Sequence, residues 1–143
     1  MLKKVKYVLL FLCLYSLTPI NYCSKDLKPY RNELLALTKQ YCKPGQYYNP
    51  AHKFLHFRKM KDHIIGYCSP TLVGYSITID PTYWNRTSED DRFQLIAHEI
   101  SHCILGKDHV EDMHNYMYYS IYPLTKEVVT KQFIENLRST CGR

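Results

Sequence analysis

An α+β domain with a short antiparallel or mixed sheet is the architecture this sequence predicts, and three observations predict it. Apolar residues recur at helical spacing in three stretches, residues 27–41, 93–105 and 125–139. Between the first two lie three short runs that read as strands, at 54–57, 64–68 and 72–79. The 143 residues are enough for one domain and too few for two.

The chain opens on Lys3-Lys4-Val5-Lys6, followed by an apolar run of eleven residues, 7–17. That is too short to span a bilayer and suits the core of a signal peptide. Residues 1–22 are therefore expected to form a signal peptide or an N-terminal anchor, and 24–143 the folded domain. No A-x-A pattern precedes Asp26, and Tyr22 stands where a lipidated Cys23 would follow a small residue. Export is the expectation, with membrane contact only through this segment.

Losing Lys3, Lys4 and Lys6 with the leader reduces the net charge from +6 to +3. The remaining basic residues form no run, so no nucleic-acid partner is expected. Fourteen tyrosines favour strands and wet, hydrogen-bonding surfaces. Once Cys13 leaves, Cys23, Cys42, Cys68, Cys103 and Cys141 remain, and an oxidising compartment would pair some of them. The last four permit three connectivities, which stay open. No C-x-x-C occurs, so a cysteine zinc site is not expected.

In the first helix, Leu27, Tyr30, Leu34, Leu37 and Tyr41 make the apolar stripe, Pro29 fits the first turn, and Lys43-Pro44-Gly45 stops it. The run 72–79 alternates, with Val73, Tyr75, Ile77 and Ile79 on one face and Gly74, Ser76 and Thr78 on the other. Gly66 and Gly74 mark bulges or close backbone approach. The simplest arrangement is an antiparallel meander, with the edge of 72–79 open to take an extended peptide. Asn85-Arg86-Thr87 matches a glycosylation acceptor, which matters only in a eukaryotic secretory pathway.

Thr87 or Ser88 can cap the next helix, and Glu89, Asp90 and Asp91 suit its positive end. At about 100° per residue, Ile96, Ala97, Ile100 and Ile104 fall within about 60° of Phe93, a core stripe. His98 and His102 fall near the opposite side, framed by Leu95 and Leu105, as on the floor of a cleft with a second layer above. Gly106 ends the helix by a left-handed cap. Residues 116–122 are aromatic-rich and expected to be irregular. The helix at 125–139 turns Val129, Leu137 and either Phe133 or Ile134 inward.

His98-Glu99-Ile100-Ser101-His102 has the form H-E-x-x-H. Residues four apart on a helix share a face, so His98 and His102 can offer two imidazole nitrogens to one Zn²⁺. Glu99 can reach a water in the open coordination position. His109 follows the helix-ending glycine, where the reversed chain can return it as third ligand. Glu127, Glu135 and His114 are the alternatives, while His52, His56 and His63 read as surface or strand residues. The plain alternative is a histidine-rich surface helix with no metal.

Over residues 93–122 the sequence resembles the metzincin zinc peptidases, whose pattern is H-E-x-x-H-x-x-G-x-x-H followed by a methionine turn. The matching residues are His98, Glu99, His102, Gly106 and His109, with Met117 as the turn methionine. One residue more separates His102 from Gly106, a spacing similar to that of small bacterial and phage metallopeptidases. A gluzincin-like scheme would instead take Glu127 or Glu135 as third ligand. The resemblance implies a metzincin-like fold, a zinc cofactor, a peptide or protein substrate, and a monomeric enzyme. It also implies a Met117 that packs beneath the metal without binding it, and a Tyr119 that binds the zinc or steadies the oxyanion. Glu99 is the expected general base. The competing class is a secreted, cysteine-stapled binding module, or an inactive peptidase homologue.

Overall fold

A computed structural model describes residues 25–48, 55–72 and 74–142. The expected leader, Cys23, His52, Phe54 and Val73 lie outside the described residues. The elements are α1 (Lys28–Tyr41), β1 (Leu55–Phe57), β2 (Gly66–Thr71), β3 (Gly74–Ile79), α2 (Pro81–Trp84), α3 (Glu89–Leu105) and α4 (Lys126–Cys141). The α+β class holds. Among the described residues no helix is long and apolar enough to cross a membrane.

The sheet is mixed, in the order β1-β3-β2, which corrects the meander. β1 runs parallel to β3, with Phe57 opposite Ile79, while β2 runs antiparallel to it, with Gly66 also opposite Ile79. The connection 58–65 therefore steps over the end of β3, and Asp80 holds it there. Met60 N–H donates to Asp80 Oδ2 at 2.7 Å, and Asp80 N–H donates to Ile65 O at 2.9 Å. The carboxylate also caps α2 by accepting from Thr82 N and Tyr83 N. These backbone donors, Met60 foremost, hold the Asp80 carboxyl below its ordinary pKa. Between the two anchor points Asp62 and His63 adopt left-handed backbone, at φ 60° and 62°.

β3 is central, paired by β2 along its length and by β1 at Ile77, Thr78 and Ile79, and Ser76 and Thr78 are buried with Ile77 and Ile79. The strand expected to carry an open edge is therefore an inner one; among the described residues the outer strands are β1 and β2, and of these β2 lies along the cleft beside α3. Ile65 O accepts from Asp80 N, so Tyr67, Ser69 and Thr71 turn their peptide groups inward by alternation. Gly66, Cys68 and Pro70 turn theirs outward, and a proline without an N–H is tolerated only on such an edge.

α3 lies between the sheet and the pair α1 and α4. Ser88 caps it through a 3.1 Å bond from Asp91 N to Ser88 Oγ. The expected stripe of Phe93, Ile96, Ala97, Ile100 and Ile104 is buried, as are Leu95 and Leu105 on the other side. Burial on both faces is the second layer the framing leucines imply. α4 contributes Val129, Phe133 and Leu137 to the core, which selects Phe133 over Ile134. Burying one such side chain stabilises by about 1.5–3 kcal/mol.

Two disulfides select one of the three connectivities. Cys42–Cys141 ties the end of α1 to the end of α4, and Cys68–Cys103 ties β2 to α3. Both fit an oxidising compartment. The first closes a loop of 99 residues, for which chain entropy alone gives about 4–5 kcal/mol.

Candidate metal centre

α3 places His98 and His102 one turn apart, with their imidazole Nε2 atoms 3.0 Å apart. The next question is how His109 returns. Gly106 sits at φ 61°, and its N–H reaches back five residues to Ser101 O. Lys107 N–H shares that carbonyl at 3.2 Å. This widened closing turn absorbs the extra residue before Gly106. His109 Nε2 then lies 3.1 Å from both His98 Nε2 and His102 Nε2.

The triangle is nearly equilateral, with sides of 3.0–3.1 Å. Three tetrahedral positions at the 2.0–2.1 Å of a zinc–nitrogen bond would stand about 3.3 Å apart. The tautomers agree with this use. His98 Nδ1 donates to Tyr116 O at 2.9 Å, and His102 Nδ1 donates to Lys107 O. A carbonyl only accepts, so in each neutral ring the proton is on Nδ1 and Nε2 carries the lone pair. Each Nε2 has one in-plane direction, so three cannot satisfy one another. A cation in the middle satisfies all three. Burial lowers the pKa of His98 to about 4 and lowers that of His102, which keeps both rings neutral. The three histidines are the metal-capable group found among the described residues.

A ring of backbone contacts fixes the triad. Met117 O accepts from Val110 N at 3.0 Å, pinning the chain just after His109 to the turn that holds His98 through Tyr116 O. Asn115 shapes that turn, its Oδ1 accepting from Met117 N at 2.9 Å. Met117 is buried, as a packing methionine should be. Tyr116 is the residue that sequence reasoning missed. Its ring is buried, its hydroxyl lies 2.8 Å from Ser101 Oγ and accepts from Asn136 Nδ2 at 2.7 Å. Its signal was only its place before Met117 and the unexplained polar Ser101 inside the motif.

Glu99 faces the same cleft, buried to 4% exposure, and its Oε2 has no hydrogen-bond partner among the described residues. Burial raises its carboxyl to about 8, against a smaller pull from the Cys68 backbone N–H. β2 presses on it closely. A Cβ on Gly66 would stand 2.9 Å from Glu99 Oε1 and 3.0 Å from Leu95 Cδ1, so Gly66 marks a close backbone approach. A carboxyl oxygen without a partner and three nitrogens able to hold a metal ion therefore face one cleft.

The cleft encloses about 610 Å³, with α3 as floor, β2 as one wall and Tyr118 to Ile121 as the other. Tyr119 lines it, 69% exposed, with its ring 4.2 Å from that of Tyr118. Glu127 and Glu135 line a separate groove on the outer side of α4, and the His114 ring packs on Tyr122 at 5.2 Å. None of these three joins the triad. His56 contacts Thr78 Oγ1 at 3.2 Å. His63, expected as a surface or strand residue, is exposed, and it also lines the cleft. No family model, no curated protein and no solved structure matches the chain.

Proposed function

We propose that this chain is an exported zinc metallopeptidase of metzincin-like chemistry, acting as a monomer on peptide or protein substrates. One observation carries the reading: three bare imidazole nitrogens converge at 3.0–3.1 Å beside a buried carboxylate with an unpartnered oxygen. His98, His102 and His109 would hold the ion, which supplies a Lewis acid and a water of lowered pKa. The neutral nitrogen donors suit Zn²⁺ better than a hard, oxygen-seeking cation.

The chain's own residues do the rest. The positive charge of a bound ion would offset the burial that raises the Glu99 carboxyl and favour its ionised form, so that Oε2 accepts the water's proton and later returns it to the leaving amine. The buried pocket keeps that carboxyl free of competing solvent. The outward-facing N–H and carbonyl of Gly66 and the carbonyls of Cys68 and Pro70 hold the substrate backbone as an added strand. Tyr119, on the opposite wall, donates its hydroxyl to the developing oxyanion. Met117 stays beneath, packing only. The two disulfides support an oxidising compartment and hence export.

The test pairs metal content with cleavage. Wild type should carry zinc and cut an unfolded protein substrate; Glu99→Gln should keep the zinc and lose the cutting. Full activity in that variant would remove the mechanism. Zinc with no Glu99-dependent cleavage would make the chain a metal-holding binder instead.

A further inference from the structure

The two ends of the cleft differ in chemistry, and the path of β2 along α3 says which is which. Gly66 stands against Leu95 and Glu99. Cys68 is bonded to Cys103, one turn further along α3. Pro70 pairs with Tyr75, whose ring packs on Tyr48 at 5.7 Å. Tyr48 in turn lies against Gly106, at the helix end, and its N–H donates to Ile104 O at 2.9 Å. β2 therefore advances along α3 from its N-terminal half to its C-terminal end.

Beyond Glu99 towards the start of α3, the cleft is walled by Ile64, Ile65 and Leu95, an aliphatic pocket with the exposed His63 next in the chain. Beyond His102, at the other end, Pro70 and Tyr75 face the cleft with the half-exposed Tyr48 beside them, an aromatic shelf. Among the described residues no Lys, Arg or Asp lines the cleft, and its only carboxylate is Glu99. A basic substrate side chain would lose its water in either end and find no carboxylate but Glu99, and an acidic one on the Tyr75 shelf would find no Lys or Arg.

A peptide added to the open edge of β2 pairs best in the antiparallel sense. Its N-terminal residues then lie on the Tyr75 shelf and its C-terminal residues in the Leu95 pocket. Building on the peptidase reading above, we propose that the cleft selects an extended chain with an aromatic or proline residue before the reacting bond and an aliphatic residue after it, and rejects charge at both. Tyrosine shelves suit such a partner, since they offer large contact area at small entropic cost.

The experiment uses zinc-loaded Glu99→Gln protein and four blocked octapeptides that differ only in their central pair: Tyr-Leu, the reversed Leu-Tyr, Tyr-Lys and Asp-Leu. Fluorescence anisotropy should rank Tyr-Leu tightest, by about tenfold or more over each of the others, the scale on which apolar pockets discriminate. Ile64→Asp should abolish the Leu-over-Lys preference, and Tyr75→Ala should weaken Tyr-Leu and Tyr-Lys alike. Equal binding of all four, or tighter binding of Leu-Tyr, overturns the proposal. Wild-type cleavage of the same peptides separates it from the reading it rests on. Cleavage of all four at equal rates overturns the selectivity and leaves the peptidase. The predicted binding order without any cleavage overturns the peptidase and leaves the selectivity.

Discussion

The two faces of α3 are built from one helix and one repeat, yet they are stabilised in opposite ways. On the core face Phe93, Ile96, Ala97, Ile100 and Ile104 are buried among apolar neighbours, and each gains by leaving water. On the cleft face His98 and Glu99 are equally buried, and each costs free energy to desolvate. The first face makes the fold. The second is tolerated because the fold holds it, and it is poised to gain from a ligand that satisfies it.

If that division is right, substitutions on the two faces should separate stability from function. Phe93→Ala, on the core face, should give the largest effect, a loss of about 3–5 kcal/mol in chemical denaturation, with activity falling only as the folded fraction falls. Glu99→Gln, on the cleft face, should leave the metal-free denaturation midpoint almost unchanged below pH 4.5, where Glu99 is protonated in the folded and unfolded states alike. It should nonetheless lower kcat/KM for peptide cleavage by about 10²–10⁴-fold, the usual contribution of a general base. A comparable stability loss in both variants would erase the distinction.

Gly66→Ala probes the contact between the faces of the cleft. The added methyl meets Glu99 Oε1 at 2.9 Å, so β2 or the carboxylate must shift. The expected cost is about 1–3 kcal/mol of stability, and a fall in kcat that exceeds any rise in KM. An active, fully stable Gly66→Ala protein would show that the close approach does not position Glu99.

The smallest predicted effect is a pH dependence of the metal-free protein. Glu99 is raised to about 8 in the folded state from an ordinary 4.5, so its contribution to stability is complete below 4.5 and is lost as the pH rises through 8. His98 is lowered to about 4 from 6.5, so its contribution is complete above 6.5 and is lost as the pH falls through 4. Thermal melts of metal-free wild type and Glu99→Gln should therefore diverge between pH 4.5 and 8, with the variant gaining relative stability as the pH rises. Parallel curves would contradict the burial assigned to Glu99.

The same contrast explains what could be read from the sequence. The core stripe of α3, the Ser88 cap and the Gly106 stop are local patterns, set by residues within one or two turns, and all three hold in the structure. His98, Glu99 and His102 follow from that helix alone. The strand order did not follow, because it depends on the connection 58–65 crossing the end of β3 under the hold of Asp80, twenty residues from Met60. That interaction has no periodic signature. Nor has the pairing of Cys68 with Cys103, or the Tyr116 carbonyl that orients His98 from 18 residues away. That 72–79 is an inner strand was illegible for the same reason: which strand is outermost is a property of the whole sheet. Gly66 was the partial exception, since a glycine inside a strand already signals that something approaches closely.

On the proposed reading the cleft face of α3 is completed by zinc, with His109 closing the site. Zinc content and affinity of the purified wild-type protein and of His109→Ala, measured by elemental analysis and competition with a chelator, bear on this without any substrate. About one zinc per wild-type chain is expected and, with one of three protein ligands removed, an affinity weakened by at least about tenfold in His109→Ala. A wild-type protein that binds no zinc, or a His109→Ala protein that binds it as tightly, would overturn the metal site.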